Sequence, residues 1–418
     1  MIKIFTTAVK AHPRYFLFLI IGLIIAIIGS YFLIKIQFKQ IKRVETTDAL
    51  IEKTQSAINF DKKDTNAIIT LAGLYFQKSR ETADTSYYKK IEDLFEKHKD
   101  SLRDNFTAPY LLSQIANARH DFILGEKLAN DAIKLAPNSA KAYGPLVDAL
   151  VEQGRYKEAE STLQKMVNLR PDFASLTRIA YFREIHGDIV GAIDALSQAQ
   201  SAGATFAENR AWLLNELGKL YFRSDLNKAE DSFKLAIEVV PNYAPAFEWL
   251  ARIEYARDNK AKALEYVDKA LEILPIAQYS TLKYKIAEKS GDKATATQMS
   301  ILTQLTYENS QKAGTNIDME LAYFLADNNI DTKKALDLAT KAYQVRKSIY
   351  GADTLALAYY RNGNYTEALK YVREALRLGE NDAQIVLHAS DIYKALNNQV
   401  EAERLLKKAT ELNPNFRI

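Results

Sequence analysis

No cysteine occurs among the 418 residues. Disulfides, thiolate nucleophiles and cysteine-ligated zinc or iron–sulfur centres are therefore excluded. The absence leaves the compartment open, because a cysteine-free chain tolerates either redox environment. Glycine (15) and proline (9) are scarce, which argues against an all-β chain built on many tight turns. The five histidines, His12, His98, His120, His186 and His388, are scattered, without an H-E-x-x-H or a paired i, i+4 placement. Neither a phosphate-cradling glycine loop nor a G-x-S-x-G elbow occurs. The expectation is a protein that is not an enzyme and that carries no cofactor and no metal.

Charge is unevenly placed. Residues 1–43 hold seven basic side chains (Lys3, Lys10, Arg14, Lys35, Lys39, Lys42, Arg43) and no acid. The other 375 residues carry 49 Lys/Arg against 52 Asp/Glu, with no concentrated basic stripe, so nucleic acid is not an expected partner. Within the basic segment, 15–34 reads "YFLFLIIGLIIAIIGSYFLI", twenty residues without a charge. At 1.5 Å rise per residue this spans about 30 Å, the thickness of a bilayer's hydrocarbon core. Tyr15 and Tyr31 stand near its ends, where amphipathic rings favour the interface. A cleaved leader fits less well, because the apolar run is long and no A-x-A-like site follows it. The expected organisation is a basic tail over 1–14, a transmembrane signal anchor over 15–34, a juxtamembrane stalk over 35–64 and a repeat body over 65–418. The basic flanks nearly balance, and the signal-anchor form favours an extracytoplasmic body on a single-pass membrane protein.

The body repeats itself. "KAEDSFKLAIEVVPN" at 228–242 returns as "KALEYVDKALEILPI" at 262–276, thirty-four residues on. Pro137 and Pro171 share that interval, as do Pro241 and Pro275. Each proline separates two amphipathic runs, so one period holds two helices. In the second helices small residues recur seven apart: Gly125/Ala132, Ala192/Ala199, Ala229/Ala236, Ala263/Ala270, Ala368/Ala375 and Ala402/Ala409, with Ala159 alone. Four residues after the first small residue comes a large one, at Leu163, Leu196, Phe233, Val267, Val372 and Leu406. Seven residues are close to two turns, so both small side chains face one side and let helices approach, while the large one fills the gap.

These residues resemble the tetratricopeptide repeats. "LGKLYF" at 217–222 followed by "KAEDSFKLAIEVVP" at 228–241 places Leu217, Gly218, Tyr221, Ala229, Phe233, Ala236 and Pro241 at the motif positions. Units start near 65, 106, 140, 173, 211, 244, 277, 315, 349 and 383; those near 65, 277 and 315 are degenerate. The resemblance implies an all-α, right-handed superhelical solenoid of helical hairpins, preceded by the N-terminal transmembrane helix. Stacking is required because one hairpin cannot bury its own apolar face. No polar capping helix follows the last unit, so its second helix is expected to expose apolar surface through which copies of the chain could associate.

The resemblance also implies a concave groove lined by first helices. In that register its residues are Tyr110, Gln114, Asn117, Asp148, Arg178, Tyr181, Trp212, Asn215, Lys219, Phe222, Glu248, Arg252, Tyr255, Asp353, Tyr360, His388 and Asp391. Aromatics interleaved with polar groups suit a protein or peptide partner. Packing between neighbouring helices is the competing use of each ring. The family's carboxylate clamp is not matched, since Asn215 and Lys219 stand one turn apart in reversed order. The expected function is a membrane-anchored scaffold or adaptor that holds protein partners and organises an envelope or secretion complex. The alternative is a non-catalytic or regulatory subunit of a membrane-linked enzyme, such as a glycosyltransferase or peptidase complex.

Overall fold

The computed structural model describes residues 46–415. The expected membrane span over 15–34 lies outside them, and among the described helices none is long and apolar enough to cross a membrane. The described residues form 22 α-helices and no strand. α1 (Thr47–Phe60) covers part of the expected stalk. From α2 onward the helices pair into hairpins: α2 (Thr65–Thr82) with α3 (Ser86–Lys97), then, after the single turn α4 (Lys99–Leu102), α5 (Thr107–Ala118) with α6 (Phe122–Leu135). The series continues with α7 (Ala140–Glu152) and α8 (Tyr156–Leu169), α9 (Phe173–Ile185) and α10 (Ile189–Ala202), α11 (Ala207–Phe222) and α12 (Leu226–Val239). It ends with α13 (Ala244–Ala256) and α14 (Lys260–Ile273), α15 (Ala277–Ser290) and α16 (Lys293–Lys312), α17 (Asp318–Asp327) and α18 (Thr332–Tyr343), α19 (Ile349–Arg361) and α20 (Tyr365–Ala375), α21 (Ala383–Ala395) and α22 (Gln399–Leu412). The body is an all-α solenoid of the tetratricopeptide type.

Seven of the ten described hairpins turn by the same local device. A residue in the left-handed region is followed within two positions by an Asp or Asn that caps the second helix. His120, Gly187, Asp258, Gly291, Asn329, Gly363 and Asn397 have positive φ. The side chains of Asp121, Asp188, Asn259, Asp292, Asp331, Asn364 and Asn398 then accept from a backbone N–H in the first turn. Such a cap contributes about 0.5–2 kcal/mol over alanine. The hairpin before α8 keeps the positive φ, at Gly154, but has Arg155 at the cap position, with no side-chain cap bond.

The small/large code sets the packing. Ala132, Ala159, Ala192, Ala199, Ala229, Ala236, Ala263, Ala270, Ala368, Ala375, Ala402 and Ala409 are all buried. Phe233 fills the space beside Gly218, where an added Cβ would stand 2.4 Å from the ring. Two of the units that read as degenerate keep the code in disguise. α18 has Ala335 and Ala342, both buried, and α16 has Ala296 and Thr303. Thr303 is tolerated at a small-residue position because its hydroxyl lies 2.7 Å from that of Ser280 on α15. Leu406 departs from expectation: it is 39% exposed, and Leu405 is buried instead. The position faces the next hairpin, and no described hairpin follows. α22 exposes Val400 as well as Leu406, among Glu403, Arg404, Lys407 and Glu411, which also face outward.

The solenoid also coils back on itself. Asn316 N–H donates to Arg119 O at 2.9 Å. Arg346 on the α18–α19 connection donates to Glu152 at 3.0 Å and to Glu320 at 2.7 Å, and its guanidinium lies 5.2 Å from the centre of the Phe122 ring. Ile349 N–H donates to Tyr156 Oη at 2.8 Å, and Asn415 donates to Phe222 O at 3.1 Å. One apolar cluster accordingly unites Leu146, Val147, Leu150 and Met166 with Ile349, Ala352, Ala375 and Ile385. Groups about 195 positions apart in the chain meet along this seam.

Candidate functional site

Three cavities lie along the inner face of the coil. The first, about 980 Å³, is lined by Tyr110 and Gln114 from α5, Asp148 from α7, Arg178 and Tyr181 from α9, and Trp212 from α11. Six of the expected groove residues are thus brought together by four successive first helices, which stack side by side and aim equivalent positions inward. Arg80, Phe173, Glu208, Asn209 and Tyr243 complete the wall. Arg178 is held rigidly: Nε and Nη2 donate to Asp148 at 2.8 and 2.6 Å, Nε also lies 3.1 Å from Gly144 O, and Nη1 donates to Ala174 O at 2.9 Å. Burial opposes its charge, and Asp148 outweighs burial and keeps the guanidinium protonated. Burial pushes the Tyr110, Tyr181 and Tyr243 hydroxyls above their ordinary value. Trp212 meets Phe173 edge-on, with ring centres 6.3 Å apart.

A second cavity of about 330 Å³ adjoins the first and shares Asp148, Arg178 and Tyr181; Asn117 lies here with His120, Glu152 and Arg346. Asn117 Nδ2 donates to Pro145 O at 2.9 Å. The third, about 460 Å³, takes Lys219, Phe222 and Arg252 from the expected set, with Lys285, Tyr323, Gln384 and Asn415 opposite. Its cations are paired internally: Lys219 with Glu216 at 2.7 Å, Arg252 with Glu248 at 2.8 Å and Lys285 with Asp327 at 2.8 Å.

Seven expected groove residues line none of the three cavities, among them the half-buried Asp391 on α21. Asn215 is buried in α11, and Glu248 is 1% exposed, fixing Arg252 and accepting from Gln278 Nε2 at 2.6 Å. Both act beneath the wall, because their side chains lie on the stripe that meets the neighbouring hairpin. Tyr255 packs against its own core cluster under Lys289, and Tyr360 lies 5.8 Å from Tyr365. Asp353 and His388 are buried and joined, with Nδ1 to Oδ1 at 2.9 Å, and Gln384 Nε2 lies 2.8 Å from His388 Nε2. The residues that sequence reasoning passed over fall into two kinds. Tyr243 follows the periodic "PN" of the turn and could have been found by extending the repeat. Arg80, which meets Glu208 at 3.2 Å, and Arg346 depend on contacts between distant turns of the coil and leave no local signal.

Comparison with known proteins agrees with the repeat. Residues 117–179 and 215–277 are each matched by a model of the tetratricopeptide repeat, and 328–409 by the model of anaphase-promoting complex, cyclosome, subunit 3. A TPR repeat-containing protein of Methanocaldococcus jannaschii is 24% identical over 360 residues, which cover 78% of this chain and 62% of the relative. Among solved structures, pilF of Pseudomonas aeruginosa covers 50% of this chain and 96% of its own, at 18% identity and a TM-score of 0.39. The human IFIT1 dimer with m7Gppp-AAAA covers 87% of this chain and 86% of its own, at 14% identity and a TM-score of 0.47. The two repeat matches and the naming of the archaeal relative together support the tetratricopeptide repeat family for this chain.

Proposed function

We propose that this protein is a membrane-anchored scaffold that holds a protein partner along its inner face and organises an envelope or secretion complex. One observation carries the reading: four consecutive first helices place Tyr110, Gln114, Asp148, Arg178, Tyr181 and Trp212 around one cavity of about 980 Å³. That is large for a pocket, and large aromatic side chains with polar tips are the groups that dominate protein recognition. Tetratricopeptide repeats generally mediate contacts between proteins. The anchor is the uncharged run over 15–34, and tethering raises a partner's effective concentration near the bilayer without new chemistry.

The test uses the full-length protein in its native membrane. A photo-crosslinking amino acid at Gln114 should trap a defined protein, and the joint change of Tyr181 and Trp212 to alanine should reduce that adduct at least tenfold while thermal stability is retained. Equal crosslinking with both rings removed refutes the assignment of this cavity. Release of the full-length protein from membranes by alkaline carbonate refutes the anchor.

A further inference from the structure

The hydrogen-bonding capacity left open around the largest cavity is unbalanced. The charges of its cations are paired: Arg178 donates to Asp148, Gly144 O and Ala174 O, and Arg80 Nη2 donates to Glu208. Acceptors are in surplus. Asp148 remains 41% exposed although both its oxygens face Arg178, and a carboxylate has more lone pairs than those bonds use. Asn209 Oδ1 is buried with no partner among the described residues. Around these stand ring faces of Tyr110, Tyr181, Trp212 and Tyr243. A ring face carries negative potential and attracts cations. The hydroxyls of Tyr110, Tyr181 and Tyr243 bond to no described residue, so they can serve peptide carbonyls or N–H groups alike.

A wall with paired cations, spare acceptors and aromatic faces complements a donor-rich cation. We infer that this cavity takes an extended protein segment that inserts an arginine or lysine side chain between Trp212 and the Asp148–Asn209 acceptors. The inference rests on the groove reading above and adds the charge of what it binds. A segment ending on an acidic side chain or a carboxylate is disfavoured, because Arg178 and Arg80 are already paired with the carboxylates of Asp148 and Glu208.

The test is a positional-scanning nonapeptide library on the full-length chain in detergent, each pool fixing the central residue. Arginine and lysine pools should be retained at least tenfold above glutamate and aspartate pools, and the preference should shrink with added salt. Asn209→Asp, which adds an acid in the first turn of α11 where a helix favours one, should widen the preference. Asp148→Asn should narrow it below threefold. Equal retention of acidic and basic pools overturns the inference, as does a preference untouched by both variants. Retention that stays charge-blind yet is lost on Trp212→Ala leaves the groove reading standing and removes the cation alone. Retention unchanged by Trp212→Ala removes both.

Discussion

Arg346 is the most informative residue to remove. It is 6% exposed and sits where the coil closes, between Glu152 and Glu320, which come from hairpins far apart in the chain. Arg346→Met keeps most of the apolar stem over Phe122 and deletes the charge. Two partly buried carboxylates then share a site with no cation. Breaking a buried pair this way costs about 3–5 kcal/mol, and because Glu152 and Glu320 are 22% and 28% exposed, water relieves part of it, so about 3 kcal/mol is expected. A linear stack of repeats would feel this only in adjacent units. The seam makes a different prediction, readable by hydrogen exchange with mass spectrometry: protection should fall together in 116–125, 150–157 and 344–352, while 259–273 stays unchanged. Adding Glu152→Gln and Glu320→Gln should recover much of the loss by removing the stranded charges. Loss of protection confined to 344–352 would refute the seam as a coupling element.

Two further outcomes follow from single positions. Gly154 and Gly363 hold the same turn at φ 72° and 75°, but a Cβ on Gly154 would lie 2.1 Å from Lys347 O across the seam, whereas nothing lies within 4 Å at Gly363. Asparagine tolerates that φ, so Gly363→Asn should shift the urea midpoint little and Gly154→Asn should lower it clearly, by about 1–3 kcal/mol of overpacking. Burial pulls the His388 imidazole down, but the Asp353 carboxylate overrides it by charge and hydrogen bond, holding His388 above its ordinary 6.5. The raised value means His388 contributes stability fully present below 6.5 and lost as pH rises through its folded pKa. Asp353→Asn removes the main cause that opposes burial and leaves the weaker pull of Asp327 and Asp391, so the His388 ring signal in NMR should titrate at lower pH than in the unsubstituted protein; a titration unmoved by the substitution would show that Asp353 is not the cause.

The hairpins were legible because their determinants are local and repeat. Ala229, Phe233 and Ala236 state in one helix what must face the next, and the interval of thirty-four states how often. In α18 Ala339 stands where the code has a large residue, and in α16 the small residue itself is exchanged. Thr303 replaces a small residue and is acceptable only because Ser280 takes up its hydroxyl, a pairing that depends on the folded hairpin. A more regular marker went unread: the left-handed residue and Asx cap at 120–121, 187–188, 258–259, 291–292, 363–364 and 397–398, which survives where the alanine pattern weakens.

The candidate site divides along the same physical line. Inward positions on α5, α7, α9 and α11 were readable from helical register, since stacking repeats the geometry from unit to unit, and six such residues do share one cavity. Register says nothing about how tightly the stack coils, and coiling decides what an inward residue meets. Arg346 and Glu152 are polar residues on unrelated helices until the coil closes, when they become a buried pair. Gly154 and Gly187 look like ordinary turn glycines, yet an added Cβ would strike Lys347 O and Asn381. The seam brings Arg346 into the wall of the cavity that also holds Asp148, Arg178 and Tyr181, so a substitution there alters the inner face as well as the fold.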